Sequence, residues 1–166
     1  MLETLLKERP VETGIAVSAF TLVAAYLFQY GFGYHPCELC YYQRYPYFAI
    51  VSIGLAGMIA MKRMDNKSLV TPLLLIFLLL FLIDAAIAGF HVGVEQKWWE
   101  GPTACSSMDF SGSIEEQLQQ IMEAPMVRCD EIAWSLFGIS MAGYNFLIAL
   151  SMTIFTALSL KKRKTV

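Results

Sequence analysis

The sequence predicts an all-α integral membrane protein: an antiparallel bundle of four transmembrane helices, with a long exoplasmic loop carrying a short amphipathic helix. Three observations predict it. The first is composition: the 166 residues are 57% hydrophobic and 16% charged, where average globular chains are roughly 45–50% apolar and about 25% charged. The second is clustering. The apolar excess is gathered into four blocks, one of them the uninterrupted run LLLIFLLLFLI, and crossing a bilayer takes about 20 such residues. The third is the placement of lysine and arginine, which alternates between the two ends of those blocks. The net charge of −2 decides little, and no basic patch with interleaved aromatics points to nucleic acid.

Residues 1–13 are cytoplasmic in this reading, and the first span covers about 14–32. Its apolar run is longer than that of a signal peptide, no A-x-A site follows, and Glu3, Glu8 and Glu12 precede it, so it is expected to span rather than be cleaved. Gly33-Tyr34-His35-Pro36 opens a loop over 33–43. The second span runs over about 44–61, with Pro46 in its first turn, where a missing N–H costs least. A polar link at 62–68 leads to the third span, about 69–90, with Pro72 near its start. A polar, acidic loop over 91–137 precedes the fourth span, about 138–160, and a basic tail at 161–166. The whole is one membrane domain without internal repeats.

Within the long loop, Ser113-Ile114-Glu115-Glu116 reads as a capping box. Ile114, Leu118, Ile121 and Met122 then share one face of a short helix, which lies on the membrane surface or packs on the top of the bundle. Lys7 and Arg9, then Lys62, Arg63 and Lys67, then Lys161, Lys162, Arg163 and Lys164 fall on one side, which the positive-inside rule makes the cytoplasm. Arg44, Lys97 and Arg128 fall on the other, together with all four cysteines.

Cys37 and Cys40 form a C-x-x-C pair, while Cys105 and Cys129 lie in the long loop. An even set in a disulfide-permissive compartment fits two structural staples, and four cysteines also raise a metal site, although the loop pair lacks C-x-x-C spacing. A C-x-x-C disulfide closes a very small ring and gains little as a staple; its usual value is redox exchange. The start of the second helix favours a thiolate there. Arg44, four residues after Cys40, shares its helix face and stays charged; alternatively it snorkels to lipid headgroups. No C-x-x-C-H haem motif or nucleotide loop is present, which leaves a lipid-dissolved quinone as the electron acceptor by elimination.

Pro36-Cys37-Glu38-Leu39-Cys40 followed by Gln43-Arg44, then His91-Val92-Gly93-Val94-Glu95-Gln96, resembles the bacterial disulfide bond formation protein B family. So do Trp99 to Cys105, Cys129-Asp130 with Trp134, and Gly138 to Asn145. The resemblance covers nearly the whole chain. It implies a bacterial inner-membrane enzyme, both termini cytoplasmic, that re-oxidises a periplasmic DsbA-like thiol oxidase with ubiquinone or menaquinone; that pathway is the family's known role. It implies that Cys40 meets the quinone, and that Cys105 and Cys129 are the shuttle pair, Cys105 bonding the partner and Cys129 passing electrons to Cys37. It further implies Arg44, His91 and Trp134 at the quinone; no metal is expected, because a zinc knuckle usually needs two C-x-x-C pairs. Rivals are a vitamin-K-epoxide-reductase-like quinone reductase, whose C-x-x-C follows the loop cysteines rather than preceding them, and a disulfide-stapled scaffold without activity.

Asp84, inside the third span, is costly at membrane depth and therefore a functional candidate. It stands seven residues before His91, two turns along one face, so the two form a candidate proton relay; alternatively Asp84 hydrogen-bonds within the bundle. Trp98 and Trp99 read as interfacial anchors, and His35 as a turn residue.

Overall fold

The structure, a computed structural model, describes residues 9–65, 67–102 and 127–164. Cys105 and the amphipathic helix expected after Ser113 lie outside the described residues. The elements are α1 (Pro10–Tyr26), prolonged by a π turn over Leu27–Gly31; α2 (Glu38–Met64); α3 (Val70–Glu95); a hairpin of β1 (Ser135–Leu136) and β2 (Ile139–Ser140); and α4 (Met141–Lys164). All four helices are long and apolar enough to cross a membrane, so the chain is a multi-pass membrane protein of four-helix architecture.

The contacts run in opposite directions along neighbouring helices. Gly57 of α2 meets Leu73 of α3 near their connecting turn, Gly54 meets Phe77, and Gln43 meets His91 at the far end. Between α1 and α2, Ile15 meets Gly54 and Gln29 meets Arg44. Between α3 and α4, Glu95 meets Ser140 and Gly89 meets Phe146. Each pairing is antiparallel, and α3 and α4 share the most extensive contact.

Tyr47, Ile50, Leu74, Phe77 and Phe81 are at most 2% exposed and form the packed centre. Large apolar side chains such as Phe20, Leu55, Leu79 and Ile154 point outward. In lipid those outward faces need no burial, so close packing rather than exclusion of water holds the helices together, and small residues mark the contacts. A Cβ at Gly54 would lie 2.6 Å from Ile15 and 2.8 Å from Phe77. Gly54→Val should therefore destabilise the bundle by about 1–3 kcal/mol through overpacking, read as a lowered thermal unfolding midpoint in detergent. An unchanged midpoint would mean that α1 moves aside freely.

Two local features differ from what the sequence suggests. α2 begins at Glu38, with Cys37 as its N-cap, so Pro46 stands inside the helix rather than in its first turn. The carbonyl of Tyr42 consequently loses its usual N–H donor. The second feature is the hairpin before α4, which pairs Ser135 with Ser140 and Leu136 with Ile139. Phe137 and Gly138 at its tip have φ of 52° and 78°, the two positive values that a tight two-residue hairpin turn requires. Ser140 then caps α4: its Oγ accepts from the Gly143 N–H at 3.1 Å and its hydroxyl donates to Glu95.

Candidate functional site

Cys37 takes the extended N-cap conformation of α2, and its Sγ accepts from the Cys40 N–H at 3.4 Å. The two sulfurs lie 3.0 Å apart and both cysteines are free. His91 Nε2 approaches Cys37 Sγ at 3.6 Å. The hydrogen bond from Cys40, followed by the hydrogen bond and charge of His91, holds the Cys37 thiol well below its usual range despite burial. The donors thus converge on Cys37. The helix start, expected to favour a thiolate at the C-x-x-C pair, offers its Cys40 N–H to Cys37.

His91, 3% exposed, is held from behind by a chain of polar groups at membrane depth. Gln43 Nε2 lies 2.8 Å from His91 Nδ1, and Gln43 Oε1 accepts from Asn145 Nδ2 at 2.8 Å. Asn145 Nδ2 also reaches Asp84 at 3.2 Å, and Asn145 Oδ1 accepts from Tyr47 Oη at 2.7 Å. Asp84 is wholly buried. Asp84 and His91 do share a face, and the structure joins them through α2 and α4 rather than directly. Gln43, Tyr47 and Asn145 received no role from the sequence. A partial signal was present: Tyr47 and Asn145 are polar side chains inside apolar spans, and Gln43 stands four residues before Tyr47, on its face once the second helix starts at Glu38. Glu95, 3.9 Å from His91 Nε2 and bonded to Ser140, was missed likewise.

Arg44 is 8% exposed. Its Nη1 donates to Gln29 Oε1 at 2.6 Å, and its guanidinium lies over the rings of Tyr26 and Tyr41, 4.9 and 5.2 Å from their centres. Gln29 comes from the π turn, a distortion frequent at functional sites. No carboxylate among the described residues lies within ion-pairing distance of Arg44, although buried charges are ordinarily paired. Arg44, Cys37, Cys40, His91 and Trp134 all line one cavity of about 380 Å³. Trp134 packs against Phe28 at 5.0 Å and Tyr144 at 6.3 Å between ring centres, closing one wall. Asp84 lies outside this lining and meets it through Asn145 and Tyr47, both of which line the cavity.

Cys129 is fully buried, disulfide-bonded, and packed in one cluster with Cys37, Leu39 and Val94. Arg128 beside it grips Asp130 through two hydrogen bonds of 2.9 and 2.7 Å, which lower the Asp130 carboxyl below its usual range. One cysteine of the long loop is therefore seated against the C-x-x-C pair, across 92 residues of chain (129 − 37).

The expectation of no metal does not fit this geometry. Cys37, Cys40 and His91 bring three ligand atoms within 4.8 Å of one another. The third ligand is a histidine supplied by another helix, not a second C-x-x-C pair.

Comparison with known proteins shows the family. The family described as "Disulfide bond formation protein DsbB" matches residues 8–159. A Rickettsia prowazekii (strain Madrid E) protein, uncharacterized protein RP370, is 33% identical over 149 residues, 88% of this chain and 83% of that relative. Disulfide bond formation protein B of Haemophilus influenzae (strain 86-028NP) is 29% identical over 153 residues, 87% of this chain and 81% of its own length. The protein of the same name from Pasteurella multocida (strain Pm70) is 28% identical over 148 residues, covering 85% and 79%. No solved structure matches the chain. With a family match across nearly all its length and a thiol pair where disulfide chemistry needs one, the chain belongs to the DsbB family of disulfide bond formation proteins.

Proposed function

We propose that this membrane oxidoreductase makes disulfides by carrying electrons from a periplasmic DsbA-like dithiol protein to ubiquinone or menaquinone in the bacterial inner membrane, with both its termini cytoplasmic. The observation that carries the reading is the seating of Cys129 against a free Cys37–Cys40 pair that opens into the Arg44 cavity. The residues suit a quinone: the walls are largely aromatic and aliphatic, and a buried cation with no carboxylate partner among the described residues favours an oxygen that gains negative charge. Bound there, a quinone would accept two electrons and two protons.

The chain's own steps are thiol–disulfide exchanges. A partner thiolate attacks Cys105 of the loop disulfide and releases Cys129 as thiolate; the partner's second thiol then closes its own disulfide and frees Cys105. Cys129 next attacks Cys37 of the oxidised pair, releasing Cys40 as thiolate beside the cavity. Cys105 resolves that bridge, restoring the loop disulfide and leaving a dithiol at Cys37 and Cys40. Each round moves two electrons and two protons. Arg44 and Trp134 position the acceptor, while His91 holds a proton at Nε2 beside Cys37. Asp84 is the exchangeable acid joined to that imidazole, through Asn145 and Gln43, whose amides orient the ring.

The experiment that tests the whole reading is anaerobic mixing of purified protein, quinone and a reduced DsbA-like protein, following quinone absorbance. Thiol-dependent loss of that absorbance is expected, and its absence refutes the reading. Two variants resolve the steps. Cys129→Ala, incubated with the disulfide form of the partner, should hold a partner adduct through Cys105 on non-reducing gels, because the Cys105 thiolate opens that disulfide and the internal thiol that would displace the partner is gone; an adduct through Cys37 or Cys40 would reassign the shuttle. Asp84→Asn keeps the size and the hydrogen bonds of the acid but cannot exchange a proton. It should slow turnover several-fold at an unchanged thermal midpoint, whereas unchanged turnover makes Asp84 structural.

A further inference from the structure

We propose that Cys37, Cys40 and His91 form a binding site for a thiophilic divalent cation of the Zn²⁺ class, open only while the two cysteines are thiols. The site itself does not depend on the quinone reading. Only its consequence, arrest of turnover, rests on that reading.

The geometry is close to what such a cation needs. Tetrahedral bonds of about 2.3 Å to sulfur and about 2.0 Å to nitrogen place S and N about 3.5 Å apart and the two sulfurs about 3.8 Å apart. Cys37 Sγ and His91 Nε2 already stand at 3.6 Å, and the sulfurs at 3.0 Å, so the pair opens by under an ångström. Cys40 is the less buried of the two cysteines and so the freer to move. The fourth position faces the cavity, where water can enter, with the Glu95 carboxylate near enough to His91 to accept a hydrogen bond from that water.

Charge selects the cation. Two thiolates and a neutral imidazole around a divalent ion sum to zero, whereas a monovalent ion would leave a net negative charge beside the membrane interior. Isolated charges are costly there, so the neutral assembly wins. Binding forms two metal–sulfur bonds and one metal–nitrogen bond, releases thiol protons and waters of the ion, and moves no electrons. A Cys37–Cys40 disulfide has no thiolate to offer, so oxidation empties the site, and an occupied site holds the pair reduced.

Ligation through Nε2 puts the imidazole proton on Nδ1, which then needs an acceptor. Gln43 faces Nδ1 at 2.8 Å through its amide nitrogen. Rotation of the amide would present Oε1 instead. A carboxylate there would need no rotation, since a carboxylate behind a ligating histidine is the common arrangement. Gln43→Glu should therefore tighten binding, the opposite of what generic damage to the site would do.

Cadmium is the probe, because its thiolate complexes absorb in the ultraviolet. The full chain, carrying Cys105→Ala and Cys129→Ala so that only the C-x-x-C thiols remain, is reduced with a phosphine and titrated with Cd²⁺ in detergent. The expected result is a thiolate band saturating at one ion per chain, displaced by Zn²⁺, and absent after diamide oxidation. Cys40→Ser should remove it. His91→Ala should weaken binding about tenfold or more, the usual loss for a ligand or its support, and Gln43→Glu should strengthen it. No saturating band in the reduced protein overturns the proposal. So does a band whose affinity is unmoved by both His91→Ala and Gln43→Glu, since two thiols alone would then hold the ion. If His91→Ala fails to fold, the Gln43→Glu arm decides: tighter binding supports the site, and unchanged or weaker binding overturns it.

Discussion

Cys40→Ser should reduce thiol-dependent quinone reduction to the uncatalysed background. The expectation follows from what serine cannot do rather than from what it disturbs. Its hydroxyl is close to the thiol in size, so the buried contacts of α2 should persist. It forms no disulfide, however, and as an alkoxide precursor it is a poor nucleophile at neutral pH, where the thiolate is the reactive form of cysteine. Cys37 keeps its N-cap position and its contact with His91. In the oxidised variant the Cys37 thiolate can open the loop disulfide at Cys129, which packs in the same cluster, and of the two thiols that displace this bridge, Cys40 and Cys105, only Cys105 remains, so a fraction of Cys37 bridged to Cys129 is expected. Two measurements check this: quinone absorbance after mixing with reduced partner, and mass spectrometry of non-reduced peptides for a Cys37–Cys129 bridge. Turnover within tenfold of the parent chain would show that Cys37 alone reaches the acceptor.

The four helices were legible because each is a long apolar block bounded by polar or turn residues, a signal that depends on length rather than on fine periodicity. Membrane-facing sides stay apolar, so the face each helix turns inward is much less legible; Asp84 was the exception, because an acid at that depth has to be accommodated. The C-x-x-C pair and Arg44 were readable from spacing along one helix. Gln43, Asn145 and Tyr47 were not assigned, because the network that holds His91 draws on three helices and exists only once they pack. The same reason hid the third metal-ligating group: His91 is 54 residues from Cys37 in sequence (91 − 37) and 3.6 Å from it in space. The hairpin at 135–140 was also missed, its Phe137-Gly138 tip lacking the usual Asn-Gly or Asp-Gly pair.

Arg44→Gln should weaken quinone use by roughly one to two powers of ten and leave exchange with the thiol partner near the parental rate. A charge-assisted hydrogen bond contributes about 1.5–3 kcal/mol, and about 1.4 kcal/mol corresponds to a tenfold change in rate. The full range is expected because the guanidinium is mostly buried, stands over two aromatic rings, and has a neutral amide as its hydrogen-bond partner. Gln29 orients the charge without neutralising it, so the cation remains available to an oxygen that becomes negative on reduction. Lysine should restore only part of the loss, since an ammonium lacks the planar fork that donates to Gln29 and the acceptor together, and it stacks less well between Tyr26 and Tyr41. In the proposed reading the partner meets the chain through the loop cysteines, so single-turnover exchange without quinone isolates that step from Arg44. A parental quinone Michaelis constant combined with slowed partner exchange would make Arg44 an anchor for the loop or for lipid. A raised Michaelis constant with parental exchange assigns the charge to the acceptor, the role that its position on the cavity wall and its lack of a carboxylate partner both favour.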